Sequence, residues 1–354
     1  MKCLKITLTQ KSPVCFSNIR HRQNIFYTHD YIPGSVLWGF FINQYVKAEK
    51  NIHPDFFNDN IRFLNCYIKI KVDKYYIQTL PMPLSLYTCK EKPYMADGDK
   101  NDSHDLVDIL FNEETVCRSK DCESKLHPVA PGYFYSFETS DIYRPRKIVE
   151  MHNKIDKYSQ NTKADSLYSY ELLDEVGIRF VGQILVEHQS DLFTFVKGFN
   201  DKNLRLGKAR TSGCGCFKLN IQESDDTGID DYFAEGFNDQ INIYLHSDAI
   251  VMDALNCYQT VISPEILGLE NEIRREKYFA RSIEVQGFNA KHQKTRINDI
   301  AIKKGSCFSY RLEPGADPEK VKTRIQEIEN DGLGIRKNEG FGRVRFNRIE
   351  FKED

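Results

Sequence analysis

The sequence predicts an α+β protein made of two ferredoxin-like (RRM-like) units in tandem, with glycine-rich loops and an insertion in the first unit. Two observations lead to this fold: a glycine-rich segment occurs twice in the chain, and each copy follows an amphipathic helix and precedes a strand. Strand signals around these helices complete a four-stranded antiparallel sheet carrying two helices in each unit.

The two glycine-rich segments read LGKARTSGCGCFKL at 206–219 and LGIRKNEGFGRVRF at 333–346. Each has Leu-Gly, five residues, Gly-x-Gly and then an alternating run. An offset of 127 residues (334 minus 207) aligns them, and it pairs Leu206, Gly207, Arg210, Gly213 and Gly215 with Leu333, Gly334, Lys337, Gly340 and Gly342. We interpret the segments as copies of one structural unit.

The helix before each glycine segment has its own signals. In DPEKVKTRIQEIEN, Asp317 is a helix cap, Pro318 takes the first helical position, and Val321, Ile325 and Ile328 share one face. In SDLFTFVKGFND, Ser190 or Asp191 is the cap, although Gly198 weakens the helix. Each unit is therefore expected to end in helix, glycine loop and strand.

The first unit is assigned to residues 1–222. It begins with the alternating strand CLKITLTQ and enters a helix at PGSVLWGFFINQY, where Leu37, Phe41 and Tyr45 recur every four residues. Strands are predicted at IRFLNCYIKIKV and KYYIQTLPM, and polar, turn-rich sequence from about 85 to 165 indicates an insertion. A helix at LYSYELLDEVG and a strand at IRFVGQILVE then return the chain to the sheet.

The second unit is assigned to residues 238–354. Strands are predicted at INIYLHSDAIV, RSIEVQGF and SCFSYRLE, before the helix and the terminal glycine loop. The boundary between the units is expected in the acidic stretch ESDDTGIDDYFAEGFND at 223–239.

Composition limits the function classes. A net charge of −2 and a pI near 6.5 argue against nucleic-acid binding through bulk charge, so a polyanion site has to be local. The N-terminus has no signal-peptide core, and no apolar run is long enough to span a membrane. Ten scattered cysteines in a chain of 354 residues suggest reduced thiols, and we expect a cytoplasmic protein.

The glycine loops are the candidate polyanion site, because glycine lets backbone N–H groups line an anion-binding concavity beside Lys and Arg. Neither segment has the spacing and context of a mononucleotide or dinucleotide phosphate loop, which leaves RNA. The alternative is that the glycines only form tight connections. The predicted RNA-binding residues are Ser35, Gly207, Lys208, Arg210, Gly213, Gly215, Gly334, Arg336, Lys337, Gly340, Gly342, Arg343 and Arg345.

The sequence resembles the RAMP superfamily of CRISPR effector subunits. YIPGSVLWGFF at 31–41 is similar to that superfamily's I-P-G-S-x-x-x-G helix start, and GLGIRKNEGFGRVRF is similar to its C-terminal glycine-rich loop. The order of motifs is most similar to the type III-D subunit that caps the 5′ tag of the guide RNA. The resemblance implies a non-catalytic subunit without cofactors, with the guide RNA, a large polymerase-like subunit and backbone RAMP subunits as partners.

Three further segments carry alternatives. His29, in FYTHDYIPGS, could act as the general base of a metal-independent endoribonuclease that processes guide precursors, whereas the plainer interpretation is a structural histidine. Cys117, Cys122 and His127 could bind zinc with Cys89 or His104, but their spacing is not that of a zinc ribbon, so no metal is assigned. The basic and aromatic stretch at 271–296 could contact RNA or be a solvated face.

Four cations of the terminal loop have a specific expectation. We expect Arg336, Lys337, Arg343 and Arg345 to occupy exposed loop and edge positions, so that replacing them with Ala weakens RNA capture and leaves the fold intact.

Overall fold

The structure is a computed structural model. The residues that it describes are 1–17, 24–72, 75–94, 104, 106–110, 116–119, 122–129, 132, 134–136, 141–153, 155, 158, 161, 166–187, 190–224, 240–289 and 294–346. The predicted boundary at 223–239 therefore lies almost wholly outside the described residues, as does much of the polar sequence at 94–105 and 154–166.

The first half of the chain, residues 1–224, is built on a seven-stranded sheet that we call the first sheet. Its elements are β1 (Lys2–Gln10), β2 (Ile25–Phe26), α1 (Gly34–Glu49), β3 (Ile61–Phe63), β4 (Tyr67–Val72), β5 (Tyr75–Gln78), β13 (Tyr168–Leu173), β14 (Arg179–Val186), α2 (Asp191–Lys197), β15 (Asn203–Arg205) and β16 (Cys216–Ser224). The strands of the first sheet have the order β15-β16-β1-β14-β4-β5, with β3 also paired to β14. Leu4, Ile6 and Leu8 alternate along β1 and point to one face, where helices α1 and α2 cover them.

The strands within residues 80–152 of the first half, which we call the middle segment, form small sheets. They are β6 (Leu80–Pro81), β7 (Leu86–Cys89), β8 (Val107–Asp108), β9 (Leu126–Pro128), β10 (Phe134–Ser136), β11 (Asp141–Tyr143) and β12 (Lys147–His152). One sheet has the order β11-β10-β6 and another β8-β7-β9. A third has the order β12-β13-β2, and its β13–β2 pair is the only parallel pairing among the described strands.

The second half of the chain, residues 240–346, is built on a four-stranded antiparallel sheet that we call the second sheet. Its elements are β17 (Gln240–Leu245), β18 (Val251–Met252), β19 (Tyr258–Gln259), α3 (Pro264–Leu267), β20 (Ile273–Phe279), β21 (Ser282–Val285), β22 (Phe288–Asn289), β23 (Lys294–Thr295), β24 (Asp299–Ile302), β25 (Cys307–Leu312), α4 (Pro318–Asp331) and β26 (Val344–Phe346). The strands of the second sheet have the order β20-β25-β17-β26. Val321, Ile325 and Ile328 of α4 pack on its core face, as their spacing predicted.

The α+β class with mostly antiparallel sheets is confirmed, and one local prediction is wrong. LYSYELLDEVG contains strand β13 rather than a helix, because its backbone pairs with β12 and β2 and its tyrosines suit a pleated surface. The strand predicted at RSIEVQGF is present, but it lies outside the second sheet: β21 pairs with β24, Phe288 pairs with Thr295, and the edge strand of the second sheet is Ile273–Phe279. Long-range pairing decided both outcomes.

The two halves touch through several polar contacts. The Arg62 guanidinium donates to the carbonyls of Asn330 and Asp331 at the end of α4, and the Tyr67 hydroxyl donates to the carbonyl of His246. Among the described helices, none combines the length and the hydropathy that crossing a bilayer requires.

Candidate nucleic-acid interface

The two glycine loops have closely matching φ angles at four aligned positions. The φ angles are 82° and 81° at Gly207 and Gly334, 90° and 91° at Gly213 and Gly340, and 76° and 78° at Gly215 and Gly342. Ala209 and Arg336, at another aligned pair, are also left-handed, with φ of 55° and 58°. A one-turn 3-10 helix follows in each, at 210–212 and 337–339. The repeat predicted from the sequence is thus a repeat of structure.

Close backbone approach explains four of these glycines without any ligand. A Cβ at Gly215 would lie 2.0 Å from the Leu206 carbonyl oxygen, and one at Gly342 would lie 1.9 Å from that of Leu333. Gly207 and Gly334 are similarly crowded, by the carbonyls of Cys15 and Ile250. At these positions the glycines form tight connections, which was the alternative to RNA contact.

The first glycine loop is open to solvent. Arg210, Thr211, Ser212 and Gly213 are all exposed, and a Cβ at Gly213 would meet nothing within 4 Å. Lys208 is half-buried and lies over the Phe26 ring, with its Nζ 4.1 Å from the ring centroid. The loop connects β15 to β16 at the edge of the first sheet. Among the predicted residues, those of this loop are the best placed to meet a ligand.

The second glycine loop packs instead against the first half of the chain. Gly340 lies against Gly34 at the start of α1: a Cβ at Gly340 would be 3.1 Å from the Gly34 Cα. The Asn338 side chain donates to the carbonyl of Phe56 at 2.8 Å. Asn338, Glu339 and Gly340 are buried, so in this copy the loop tip serves as an internal contact.

The expectation that four cations of the terminal loop are exposed is wrong. Arg336 forms ion pairs with Asp299 and Glu339 at 2.6 and 2.7 Å, and Lys337 is half-buried. Arg345 is buried and lies 3.8 Å from the equally buried Glu329 carboxylate. Arg343 donates to the Glu329 carbonyl at 2.6 Å. Of the carboxylates that hold these cations, Asp299 lies far away in sequence and Glu329 lies on the preceding helix, whereas Glu339 lies within the loop itself.

A groove brings together three predicted elements at the contact between the halves. Its lining includes His29, Ser35 of the PGS turn and Gly340 of the terminal loop, with Tyr31 and Asp248 beside them. The N–H of Gly34 is already bonded to the Asn65 side chain at 2.8 Å. Fewer helix N–H groups are therefore left for a phosphate than the sequence suggested.

His29 is held neutral in this groove. Burial, with the positive charge of Lys304, lowers its pKa to about 4. Its ring lies 5.3 Å from that of Tyr31, over which Lys304 also sits with its Nζ at 4.3 Å. Asp30 turns toward Lys147, 2.5 Å away, and takes no part in the groove lining. A neutral imidazole can accept a proton, but a pKa near 4 makes it a weak base at neutral pH.

The face of the first sheet opposite α1 and α2 carries a cationic surface that sequence analysis missed. Strand register places Asn203, Lys218, Thr9, Arg179, Lys69 and Gln78 in one row across six strands. Lys5, Lys71 and Arg205 point to the same side by alternation. We call six of the cations on this side the basic face: Lys5, Lys69, Lys71, Arg179, Arg205 and Lys218. Arg62 of β3 points to the same side but contacts the carbonyls of Asn330 and Asp331 in the second half.

The described strands of the basic face place no carboxylate on the same side. Among the described side chains of these strands that point to this side, none is Asp or Glu. Lys71, Arg179, Arg205 and Lys218 are exposed, and Lys218 meets Asp201, from the turn before β15, at 3.5 Å. The Arg179 guanidinium lies 4.4 Å from the centroid of the exposed Tyr76 ring. The surface thus combines several cations with an aromatic ring.

The second half covers one corner of this face and leaves the rest accessible. Cys3, Leu185 and Tyr67 are buried there, while the row from Asn203 to Gln78 lies on exposed or half-buried positions. The signal was available in YIKIKV, whose lysines alternate with apolar residues, but only the sheet order brings Arg179 and Lys218 beside Lys69. Arg205 also donates to the Arg210 carbonyl, which joins the basic face to the first glycine loop.

The second sheet offers no comparable face among its described residues. Tyr244 and Cys307 are buried against Leu110 of the middle segment. In the stretch 271–296, Arg275 is exposed and lies 4.9 Å from the centroid of the exposed Tyr278 ring. Lys277 donates to the Ile109 carbonyl and Arg296 pairs with Glu339, while Lys291 is outside the described residues. The stretch is thus partly an internal contact.

The predicted set Cys117, Cys122 and His127 is not assembled as a set. His127 Nδ1 lies 2.9 Å from the carbonyl oxygen of the next residue, Pro128. Cys89 and His104 approach the two cysteines instead.

No protein-family model matches the sequence, and neither does any curated protein. Among solved structures, the chain is similar to a chain of the type III-B Cmr-beta complex bound to cognate target RNA and AMPPnP, with 15% identity, a TM-score of 0.45, and coverage of 92% of this chain and 88% of that one. It is also similar to a Cas6 product complex, at 10% identity, a TM-score of 0.41, and coverage of 98% and 100%. Thermus thermophilus Cas6 shows 10% identity, a TM-score of 0.31, and coverage of 48% and 74%. Because these TM-scores lie below 0.5, the function has to be inferred from the residues of this chain.

Proposed function

We propose that this chain is a non-catalytic RNA-binding subunit of a type III CRISPR ribonucleoprotein that holds the 5′ repeat tag of the guide RNA. The observation that carries RNA binding is the basic face, where six cations lie on one side of strands that present no Asp or Glu there among the described residues, next to the exposed first glycine loop. The assignment to a CRISPR subunit rests on the resemblance of the I-P-G-S helix start and the terminal glycine loop to the RAMP superfamily.

The dimensions of the basic face suit a single strand of RNA. Six neighbouring strands spaced about 4.8 Å apart span roughly 24 Å, which several nucleotides of extended RNA can follow. Phosphates would meet Lys218, Arg179 and Lys69 in turn, and the Tyr76 ring offers a stacking surface. Gly213 has open space where a phosphate or a base can come close to the backbone.

The order of the sheets supports two ferredoxin-like units within the RAMP assignment. A ferredoxin-like unit has four strands, with one helix after the first strand and another before the fourth. In the second sheet these strands are β17, β20, β25 and β26, and they lie side by side in the order β20-β25-β17-β26. In the first sheet the corresponding strands are β1, β4, β14 and β16, and their order, β4-β14-β1-β16, is the same. Subunits of this kind are expected to dock against a large polymerase-like subunit and a backbone RAMP subunit, in the cytoplasm.

The test is a comparison of two triple variants of the full chain. Lys69→Ala/Arg179→Ala/Lys218→Ala removes three cations of the basic face, and Lys47→Ala/Lys197→Ala/Lys202→Ala removes three from the helical side of the same sheet. Fluorescence anisotropy with a labelled repeat-tag RNA should show at least tenfold weaker binding for the first variant only. For this variant, the slope of log Kd plotted against log salt concentration should be smaller than that of the wild-type protein by about 2, because each of the three lost phosphate contacts to a single strand removes about 0.7.

Equal losses in both variants would mean that charge in general, and not this face, attracts RNA. Unchanged binding in the first variant would reject the basic face as the site. Co-purification from a reconstituted operon then separates RNA binding from the CRISPR assignment, because a CRISPR subunit should recover short RNAs with a constant repeat tag together with other effector subunits.

A second function, cleavage of guide precursors with His29 as general base, is favoured by the groove that holds His29 beside Ser35 and Gly340. It predicts turnover of repeat RNA by the isolated chain without metal, and its loss in His29→Ala. The low pKa of His29 makes this the weaker of the two candidates.

A further inference from the structure

We propose that Cys89, His104, Cys117 and Cys122 of the middle segment form a structural zinc site. One possible ligand atom from each of these side chains lies within 4.8 Å of all the others. Three thiolates and one imidazole are a common ligand set for structural Zn²⁺, and the four residues come from three separate stretches of the chain. No part of the proposed RNA interface uses them.

The separation of two of the sulfurs fits a tetrahedral centre. Zn–S bonds of about 2.3 Å place two sulfurs about 3.8 Å apart at a tetrahedral angle, and the sulfurs of Cys89 and Cys122 are 3.7 Å apart. His104 Nδ1 is 3.1 Å from the sulfur of Cys117, somewhat closer than two ligands of one zinc ion. A small outward movement of the ring would therefore admit the ion between all four groups.

The backbone holds each ligand in place. Cys89 ends strand β7, and the N–H of the next residue, Lys90, donates to the carbonyl of Lys125 at 3.1 Å. The Cys117 N–H donates to Ser124 O at 2.9 Å, and the Cys122 N–H closes a turn by donating to Ser119 O at 3.1 Å. His104 is fixed through its N–H to the carbonyl of Lys92 at 3.1 Å. These bonds are independent of any metal.

A disulfide is the main rival for two of these cysteines. The Cys89–Cys122 sulfur separation of 3.7 Å is far longer than the 2.05 Å of an S–S bond. A disulfide would also leave Cys117 and His104 converging on the same point with no bonding role. The convergence of all four groups favours a metal.

The site lies where the middle segment attaches to the second half. Strand β7 carries Cys89 and pairs with both β8 and β9. Tyr87 of β7 contacts Phe279, with ring centroids 6.3 Å apart, and Leu110, just after β8, packs against Tyr244 and Cys307. By fixing this short sheet, zinc would secure the cover over the second sheet.

Metal content of the full chain, purified in reductant and exposed to ZnSO₄, tests the proposal. Native mass spectrometry should find one zinc per chain in the wild-type protein and none in Cys117→Ser/Cys122→Ser. His127→Ala is the matched control, because His127 lies two residues beyond Lys125 but outside the cluster, and it should keep its zinc. Wild-type protein without zinc after reconstitution, or equal zinc in all three proteins, would overturn the proposal.

Alkylation of the wild-type protein keeps the proposal testable where the double variant does not fold. A chelator should make Cys89, Cys117 and Cys122 react with iodoacetamide at least tenfold faster, while the exposed Cys257 reacts at an unchanged rate. Alkylation rates that are the same with and without the chelator, or a Cys89–Cys122 disulfide found in the non-reduced peptide map, would contradict a zinc site.

Discussion

His29 shows how the surroundings of one residue change its pKa. It lies in the groove between the halves, and burial next to Lys304 disfavours its protonated form. Asp248 also faces this region and offsets part of the effect, whereas Lys147 adds to it. Titration of this side chain should therefore couple to the stability of the contact between the halves.

The pH dependence of unfolding tests this coupling. The folded pKa is about 4 against an ordinary value of 6.5, so the unfolded chain binds more protons between these values, and stability falls as pH drops from 6.5 toward 4. A shift of this size corresponds to at most about 3 kcal/mol. In urea titrations at pH 7.5 and 5.0, His29→Gln should lose less stability on acidification than the wild-type protein. Parallel losses would show that other groups control the acid response.

At the scale of elements, the same glycine loop serves two purposes in its two copies. The first copy connects the edge strand β15 to its neighbour β16 and stays exposed, whereas the second is pressed against the start of α1. The cations differ as well, since Arg336, Arg343 and Arg345 find carboxylate or carbonyl partners within the second half. The same backbone geometry thus forms an exposed loop in the first copy and an internal contact in the second.

The buried pair between Arg345 of β26 and Glu329 of α4 gives a prediction at this scale. Arg345→Ala leaves a buried carboxylate without its cation and should cost about 3–5 kcal/mol in the free energy of unfolding. Arg210→Ala, in the exposed first loop, should change that free energy by less than about 0.5 kcal/mol. Urea denaturation of both variants measures the contrast. Comparable stability of the two would mean that the Arg345 pair contributes nothing.

At the scale of the whole molecule, the two halves depend on a contact between two glycines. A Cβ at Gly34 would lie 1.9 Å from the Phe63 carbonyl oxygen and 2.9 Å from the Gly340 Cα. The start of α1, strand β3 and the terminal loop therefore meet at a point with no room for a side chain. The groove that holds His29 lies beside this contact, since Ser35 and Gly340 line it.

Alanine substitutions at two glycines of α1 test that contact. Gly34→Ala should destabilise the protein by more than about 2 kcal/mol, because the clash is with backbone atoms that cannot move independently. Gly39→Ala should stabilise it by about 0.5–1 kcal/mol, since a Cβ there meets nothing within 4 Å and Ala favours a helix. Thermal and urea unfolding compare them. A stabilised Gly34→Ala variant would show that the halves do not pack at this point.

Several features were determined by the sequence itself because they depend on local chemistry. The helices α2 and α4 follow from caps and from apolar residues every three to four positions, α1 follows from its apolar spacing, and the glycine repeat follows from matched positions that need positive φ. Strand β1 follows from strict alternation. Each of these signals is contained within about fifteen residues.

The tertiary structure alone decided what depends on contacts between distant residues. It made 168–173 a strand by pairing it with β12 and β2, and it buried Arg345 against Glu329. It also gathered Lys69, Arg179 and Lys218 onto one face, and Cys89 and His104 beside Cys117 and Cys122. Register and burial are set by the free energy of the whole core, so no window of sequence contains them.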